Sequence, residues 1–167
     1  MKCFDHKYIW NYLSREVKIT ALISKGEGMS HSETDRVEAE QAIHATIGWA
    51  LTKDFERLFS SVAQDEDFFI FHPDSKSTII GFEAFKSLAE RWWRTDAFKA
   101  TDYAIKELRI TFAELGNVAW YSCFLDDHGE WNGKTSGWDN CRWTGTLEKR
   151  GNKWVTVQMH FSFPKDD

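Results

Sequence analysis

The 167-residue chain contains little that would cross-link a protein or anchor it in a membrane. It has three cysteines, Cys3, Cys123 and Cys141, an odd number that lacks the spacing of a zinc site. We therefore expect reduced thiols and a cytoplasmic location. No apolar run approaches the roughly 18 residues that indicate a membrane-spanning helix, and the N-terminus lacks the continuous apolar stretch of a secretion signal.

Positive charge is also scarce. The chain has 21 lysines and arginines against 26 aspartates and glutamates, for a formal net charge of −5. Proteins that bind nucleic acid through phosphates need a basic face, so this function is disfavoured. There is no His-Glu-x-x-His motif, no nucleophile motif and no glycine-rich phosphate loop, and we expect neither a metal nor a cofactor.

Aromatic side chains, in contrast, are abundant. Nine tryptophans, thirteen phenylalanines and four tyrosines make up 16% of the chain, and so much ring area needs a core, an interface or a pocket. The length fits one domain. We assign residues 1–28 to an N-terminal extension that ends in a Gly-rich linker, and residues 29–167 to the domain. The patterning of the extension is consistent with either a helix or a strand.

Apolar periodicity predicts helices first and strands last. Ser30 and Glu33 fit a capping box that begins a long helix, and Lys53-Asp54 marks a break before a short second helix. A strand at 68–73, a short strand at 78–81 and a helix at 82–93 follow. The remaining predicted elements are strands at 101–114, with a bulge at Glu107-Leu108, and at 118–126, 137–149 and 154–163, with a polar hairpin loop at 127–133. This order predicts an α+β fold with a mostly antiparallel sheet.

The ordered set of local motifs resembles the nuclear transport factor 2-like superfamily, whose members are also described as SnoaL-like, cystatin-like or ketosteroid-isomerase-like. The resemblance covers about residues 30–164. It rests on the segments 53–55, 69–73, 81–85, 117–120 and 142–149, and on Trp154 through His160-x-Ser162. It implies a cone-shaped half-barrel in which a curved sheet wraps around N-terminal helices and encloses a pocket. It does not imply one activity.

His72 is the first catalytic candidate. It precedes the proline that ends the first strand, and the resemblance implies a role because ketosteroid isomerases carry their catalytic aspartate at the comparable place. An imidazole can act as a general base near neutral pH. The alternative is a strand-end histidine bonded to backbone. No clear acidic partner is evident on a later strand. Asp126 and Asp127 begin the hairpin loop and point to opposite faces, so at most one of them enters a pocket, and the favoured interpretation is that both are solvated.

His160 is the second candidate. It shares one face of the last strand with Gln158 and Ser162, and Met159 and Phe161 share the other. If the polar face lines the pocket, His160 is a base or a ligand contact. If the apolar face does, His160 lies at a dimer seam, and this alternative is favoured. The kinase association domains that resemble the chain carry pocket arginines at positions that correspond to non-basic residues here, Phe161 among them.

Five aromatic residues are predicted to bind a ligand: Trp49, Trp92, Tyr121, Trp143 and Phe161. Large rings suit the walls of an apolar pocket, and rings on the outer sheet face would equally suit a homodimer interface. The sequence therefore predicts a homodimeric, small-molecule-binding domain with an aromatic-lined pocket. The alternative is a cofactor-free isomerase, dehydratase or cyclase that uses a pocket histidine as general base. No nucleic-acid or membrane partner is expected.

Overall fold

A computed structural model describes residues 33–73 and 78–164. The N-terminal extension, the Ser30 half of the capping box and the turn at 74–77 lie outside these residues, so their interpretations stay predictions. The helical elements are α1 (Glu33–Gly48), a 3-10 turn (Trp49–Leu51), α2 (Phe55–Ser60), α3 (Phe82–Leu88) and a π-helical turn (Ala89–Trp93). The strands are β1 (Phe69–Phe71), β2 (Ile79–Ile80), β3 (Phe98–Phe112), β4 (Val118–Trp131), β5 (Lys134–Arg150) and β6 (Lys153–Ser162).

The predicted break between the first two helices is confirmed. Lys53 adopts a left-handed backbone conformation with φ 54°, which ends the first helical segment. Asp54 then caps α2, because its carboxylate accepts a hydrogen bond from the Arg57 backbone N–H at 2.9 Å. Lys53 also donates from Nζ to the Thr95 carbonyl at 2.6 Å, which ties this corner to the loop before β3.

The six strands form one open, curved sheet in the order β2-β1-β6-β5-β4-β3. All neighbours are antiparallel except β1 and β6, which confirms the predicted α+β fold. Side chains alternate along β4: Tyr121, Cys123 and Leu125 are buried toward the helices, whereas Trp120 and Phe124 are exposed on the outer face. The inward face and the helices together hold the core.

Bulges bend β3, β5 and β6, and the one in β6 lies opposite the step from Thr146 to Leu147. β3 shifts register between Lys106 and Arg109, where Glu107 has φ 54°, so the bulge predicted at Glu107-Leu108 is confirmed. A second shift in β3 lies between Ala100 and Asp102. β5 bulges opposite Asp126, where Asn140 has φ 53°. Because bulges increase local twist and bend a strand, they curve the sheet around the helices.

The predicted hairpin loop at 127–133 was wrong. β4 continues to Trp131, and only Asn132 and Gly133 form the turn, both with positive φ. This is the geometry of a two-residue hairpin turn, for which Asn-Gly is a favoured sequence. The polar residues of the segment pair in register instead, so that Asp127 lies opposite Trp138. Asp127 thereby falls on the same face as Leu125.

The helix predicted at 82–93 forms, but its last turn is wider than an α-helix. α3 ends at Leu88, and the Arg94 backbone N–H reaches five residues back to the Ala89 carbonyl at 3.2 Å. Such π turns are often found at functional sites. Here the turn brings the adjacent residues Trp92 and Trp93 to one cavity.

Candidate functional site

A cavity of about 330 Å³ lies between the helices and the inward face of the sheet. Aliphatic side chains from α1, α2, β1 and β6 form part of its wall. Most of the remaining wall is aromatic and comes from the 3-10 turn, the α3 region, β3, β5 and β6. The aromatic lining residues are Trp49, Phe85, Trp92, Trp93, Phe98, Trp138 and Phe161.

The rings of this wall support one another. The Trp49 ring lies 5.6 Å from Trp93 and 6.4 Å from Phe98 between centroids. On the other side, Trp138 lies 5.6 Å from Phe161. These separations fall in the range of favourable aromatic pairs, so the packing holds each ring in place. The cavity therefore has a preformed apolar surface.

Three polar side chains from different elements reach the cavity. His72 follows β1, and its ring centroid lies 4.9 Å from that of Trp138. Asp127 comes from the inward face of β4. Thr46 on α1 already donates its hydroxyl hydrogen to the Ile43 carbonyl at 2.8 Å. His72 and Asp127 are therefore the two lining groups whose chemistry suits proton exchange.

Burial changes the acidity of Asp127. Loss of hydration raises the pKa of its carboxyl above the ordinary value of 3.8, and the nearby His128 opposes this shift. Its sequence neighbour Asp126 points to the outer face and behaves in the opposite way. There the Asn140 backbone N–H and the Lys106 ammonium hydrogen-bond to the carboxylate, and they lower the pKa of Asp126.

Four of the seven site residues predicted from sequence line this cavity: His72, Trp49, Trp92 and Phe161. Tyr121 and Trp143 do not, because both are buried in the core on the inward face of the sheet. Trp143 stacks on Phe161 at 5.5 Å between centroids and so supports the cavity wall. Tyr121 in turn packs edge-on against Trp143.

His160 lies outside the cavity. Its side chain is exposed on the outer face of the sheet, where its ring is 5.7 Å from that of Phe71. Met159 and Phe161, which point the other way, line the cavity. The alternative with the apolar face of β6 inward is therefore the one that the fold adopts, and a direct role of His160 in the cavity has no geometric support.

Asp127 is the cavity residue that sequence reasoning missed. The signal was present in the alternation of β4, because Tyr121, Cys123 and Leu125 place every second residue inward. Extending that alternation by one step would have placed Asp127 in the pocket. The Asn132-Gly133 turn signal would have justified the extension.

The described residues offer no metal site, since no three histidine, cysteine, aspartate or glutamate side chains converge within them. Burial raises the pKa of the Cys123 thiol to about 12 and that of Cys141 to about 11, so both thiols are protonated. No helix in the described ranges is long and apolar enough to span a membrane.

Solved structures similar to this chain share its fold at low sequence identity. A nuclear transport factor 2-like protein of unknown function from Pseudomonas putida is 16% identical, with 82% of this chain and 92% of that chain covered and a TM-score of 0.62. A proposed dehydratase of the same family from Streptomyces avermitilis is 17% identical, with 80% and 98% covered and a TM-score of 0.64. A proposed calcium/calmodulin-dependent kinase II association domain from Exiguobacterium sibiricum is 11% identical, with 84% and 100% covered and a TM-score of 0.64.

A comparison with curated protein sequences gives no match. The profile of the SnoaL-like domain, however, matches residues 39–166, which include most of α1, the other helices and the whole sheet. This span agrees with the superfamily resemblance found in the sequence motifs and with the fold of the similar structures. The chain belongs to the SnoaL-like domain family.

Proposed function

We propose that this protein binds a small, mostly apolar molecule in the cavity between its helices and its sheet. One observation carries the proposal: the cavity of about 330 Å³ is lined largely by aromatic side chains, and His72 and Asp127 are among its lining residues. Pockets for small molecules have this composition, a largely apolar wall with a few oriented polar groups. Family members use the same fold for several activities, so the cavity and not the fold supports the proposal.

The binding proposal is tested by filling the cavity. Ala50 lines it from the 3-10 turn, and Ala50→Leu places three additional carbon atoms inside. We expect this variant to bind the neutral fluorophore N-phenyl-1-naphthylamine at least about tenfold more weakly, because the added volume excludes the probe. Ala45→Leu is the matched control, since Ala45 faces a separate cleft beside Asn152 and Lys153. Equal binding by both variants and the parent protein would contradict the proposal.

A second function is supported by the two polar residues of the cavity. His72 and Asp127 both line it, which supplies the pair of groups that acid–base catalysis needs. The proposed activity is a cofactor-free isomerisation, dehydration or cyclisation in which His72 removes a proton and Asp127 assists. The apolar surroundings favour such a step because they exclude water from the reacting groups.

A chemical probe tests proton removal without knowledge of the natural substrate. In 5-nitrobenzisoxazole, a base takes the proton from carbon 3 while the nitrogen–oxygen bond breaks, which yields a coloured cyanophenolate. We expect His72→Gln and Asp127→Asn each to lower kcat/KM by about tenfold or more, and His160→Gln on the outer face to leave it unchanged. A rate equal to that of free imidazole would refute the catalytic role and leave binding untouched.

The outer face of the sheet supports a homodimer. Trp120 and Phe124 are 49% and 37% exposed there, beside the arginines Arg109 and Arg142. Exposed aromatic residues with arginines are typical of the centre of a protein interface.

Sedimentation tests the homodimer. We expect the parent protein to sediment with twice the chain mass of 19.5 kDa and the Phe124→Glu variant to sediment with the mass of a single chain. Leu115→Glu, in the β3–β4 turn, is the control that keeps the larger mass. A 19.5 kDa species for the parent protein would exclude the dimer.

A further inference from the structure

The side chains of the described residues that line the cavity include a carboxylate but no ammonium or guanidinium group. Asp127 contributes a carboxylate to the lining, His72 is the other titratable residue there, and no lysine or arginine from the described ranges lines the cavity. The charge of the adjacent His128 opposes the rise in the pKa of Asp127 that burial causes. A partly buried carboxylate that no lysine or arginine faces within the cavity is held in its charged form poorly, because the low-dielectric surroundings replace its hydration only in part. A ligand that brings a positive charge would remove this cost.

The wall of the cavity is also suited to a cation. Four tryptophans, Trp49, Trp92, Trp93 and Trp138, line the same space as the carboxylate. The face of an indole ring carries negative charge density, and tryptophan is the side chain that binds cations most strongly through its ring. A carboxylate together with several indoles is therefore the combination that recognises an ammonium group whose substituents are apolar.

We propose that the ligand of this cavity is an organic ammonium ion, with Asp127 as its counter-ion and the tryptophan wall as its cage. This inference rests on the proposed binding function and adds the chemical class of the ligand. Burial of Asp127 disfavours its charged form, and a bound cation would offset this effect, which supports the assignment of Asp127 as counter-ion. A volume of about 330 Å³ accommodates a single aromatic or alicyclic amine and not a macromolecular segment.

The test compares two molecules of the same shape. Benzyltrimethylammonium and neopentylbenzene differ only in a charged nitrogen that replaces a carbon. Each competes with N-phenyl-1-naphthylamine for the parent protein at mildly alkaline pH, where histidine side chains in general are neutral. We expect the ammonium compound to displace the fluorophore at a concentration at least about tenfold lower than its carbon isostere, since only the cation gains from the carboxylate and the ring faces.

Two variants and one control distinguish the contribution of the carboxylate from that of the tryptophan rings. Asp127→Asn keeps the size of the side chain and removes its charge, and it should reduce the preference for the cation to below about threefold. Asp139→Asn removes the same charge from the exposed side of this hairpin and should leave the preference intact. Trp138→Leu keeps an apolar wall but removes a ring face, and it should weaken the cation more than the isostere.

The outcomes are distinguishable from those of the binding proposal. If both compounds compete equally, or the isostere competes better, the cavity binds apolar molecules and the ammonium inference is overturned. If the preference is present in the parent protein and unchanged in Asp127→Asn, the carboxylate is not the counter-ion and the inference is equally overturned. If neither compound nor the fluorophore binds, the binding proposal fails as well. The comparison in the parent protein does not depend on any variant folding.

Discussion

At the scale of single residues, the core contains two buried hydroxyl groups that form no hydrogen bond with the described residues. The Oγ1 atom of Thr156 is fully buried and has no hydrogen-bond partner among the described residues, and the hydroxyl of Tyr121 is in the same situation. A buried polar atom that has lost its water without gaining a partner destabilises the folded state. These two positions are thus sites where the fold can be improved.

We expect Thr156→Val to raise the free energy of unfolding by about 1 kcal/mol, because it replaces the hydroxyl by a methyl group of similar size. In a chain of this length such a change corresponds to a rise in Tm of about 2–4 °C. Thr46→Val is the matched control: the Thr46 hydroxyl donates to the Ile43 carbonyl, so its removal should bring no gain. A lower Tm for Thr156→Val, measured by calorimetry, would mean that the hydroxyl has a bonding partner.

Asp127 makes stability depend on pH in a predictable direction. Its pKa is raised in the folded protein, so the folded state favours the neutral acid. The resulting stabilisation is complete below the ordinary carboxyl value of 3.8 and is lost as the pH rises through the folded-state pKa. Asp127→Asn, which stays neutral, should therefore have a higher Tm than the parent protein at neutral pH. The difference should shrink as the pH falls, and a constant difference in a series of thermal melts would contradict this account.

At the scale of elements, the bulge in β3 stores backbone strain. Glu107 adopts φ 54°, a conformation that costs an L-residue with a Cβ atom and that glycine tolerates. We expect Glu107→Gly to stabilise the protein by about 0.5–1 kcal/mol in urea unfolding and Glu107→Val to destabilise it, since a β-branched side chain fits this conformation poorly. If glycine and valine have the same effect, the strained geometry is not present in solution.

The same bulge shows what could be predicted from sequence. Glu107 and Leu108 interrupt the alternation of apolar residues in β3, and this interruption indicated the bulge because a one-residue insertion reverses which side chains face the core. The proline that follows His72 indicated in a similar way that this residue lies at the end of its strand, whereas its catalytic role was a hypothesis from the resemblance to ketosteroid isomerases. Both signals are local, and neither requires knowledge of a distant part of the chain.

Asp127 is found only when the alternation of β4 is extended as far as the Asn132-Gly133 turn, and the composition of its own segment argues against that extension. Two adjacent carboxylates followed by histidine and glycine resemble a loop, because a polar strand and a polar loop have the same composition. What distinguishes them is the neighbour: β3 and β5 pair with this part of β4, and the cavity tolerates a carboxylate where a packed core would not. Tyr121 and Trp143 are likewise excluded from the cavity because other side chains pack over them, and this packing cannot be derived from local sequence.

At the scale of the whole molecule, the Gly-rich linker predicts a division of the chain into an extension, residues 1–28, and a domain, residues 29–167. The family match begins at residue 39, within α1. We expect a chain shortened to residues 29–167 to melt at the same temperature as the full chain, because α1 is joined to the sheet within the domain. The Asp35 carboxylate accepts hydrogen bonds from Lys149 and from the Trp154 indole. A lower Tm on shortening would assign the extension a part in the fold.

The position of β3 has a consequence for how this molecule behaves when crowded. Among residues 33–73 and 78–164, β3 is the outermost strand on one side of the sheet. It is 15 residues long, and an open edge of that length can pair with strands of other chains and begin aggregates. Its bulges near Thr101 and Glu107 divide that edge into short pieces that do not share one register. An incoming strand could therefore pair only over a few residues at a time. The irregularities that curve the sheet around its cavity also protect the protein from amyloid-like growth at its longest open edge.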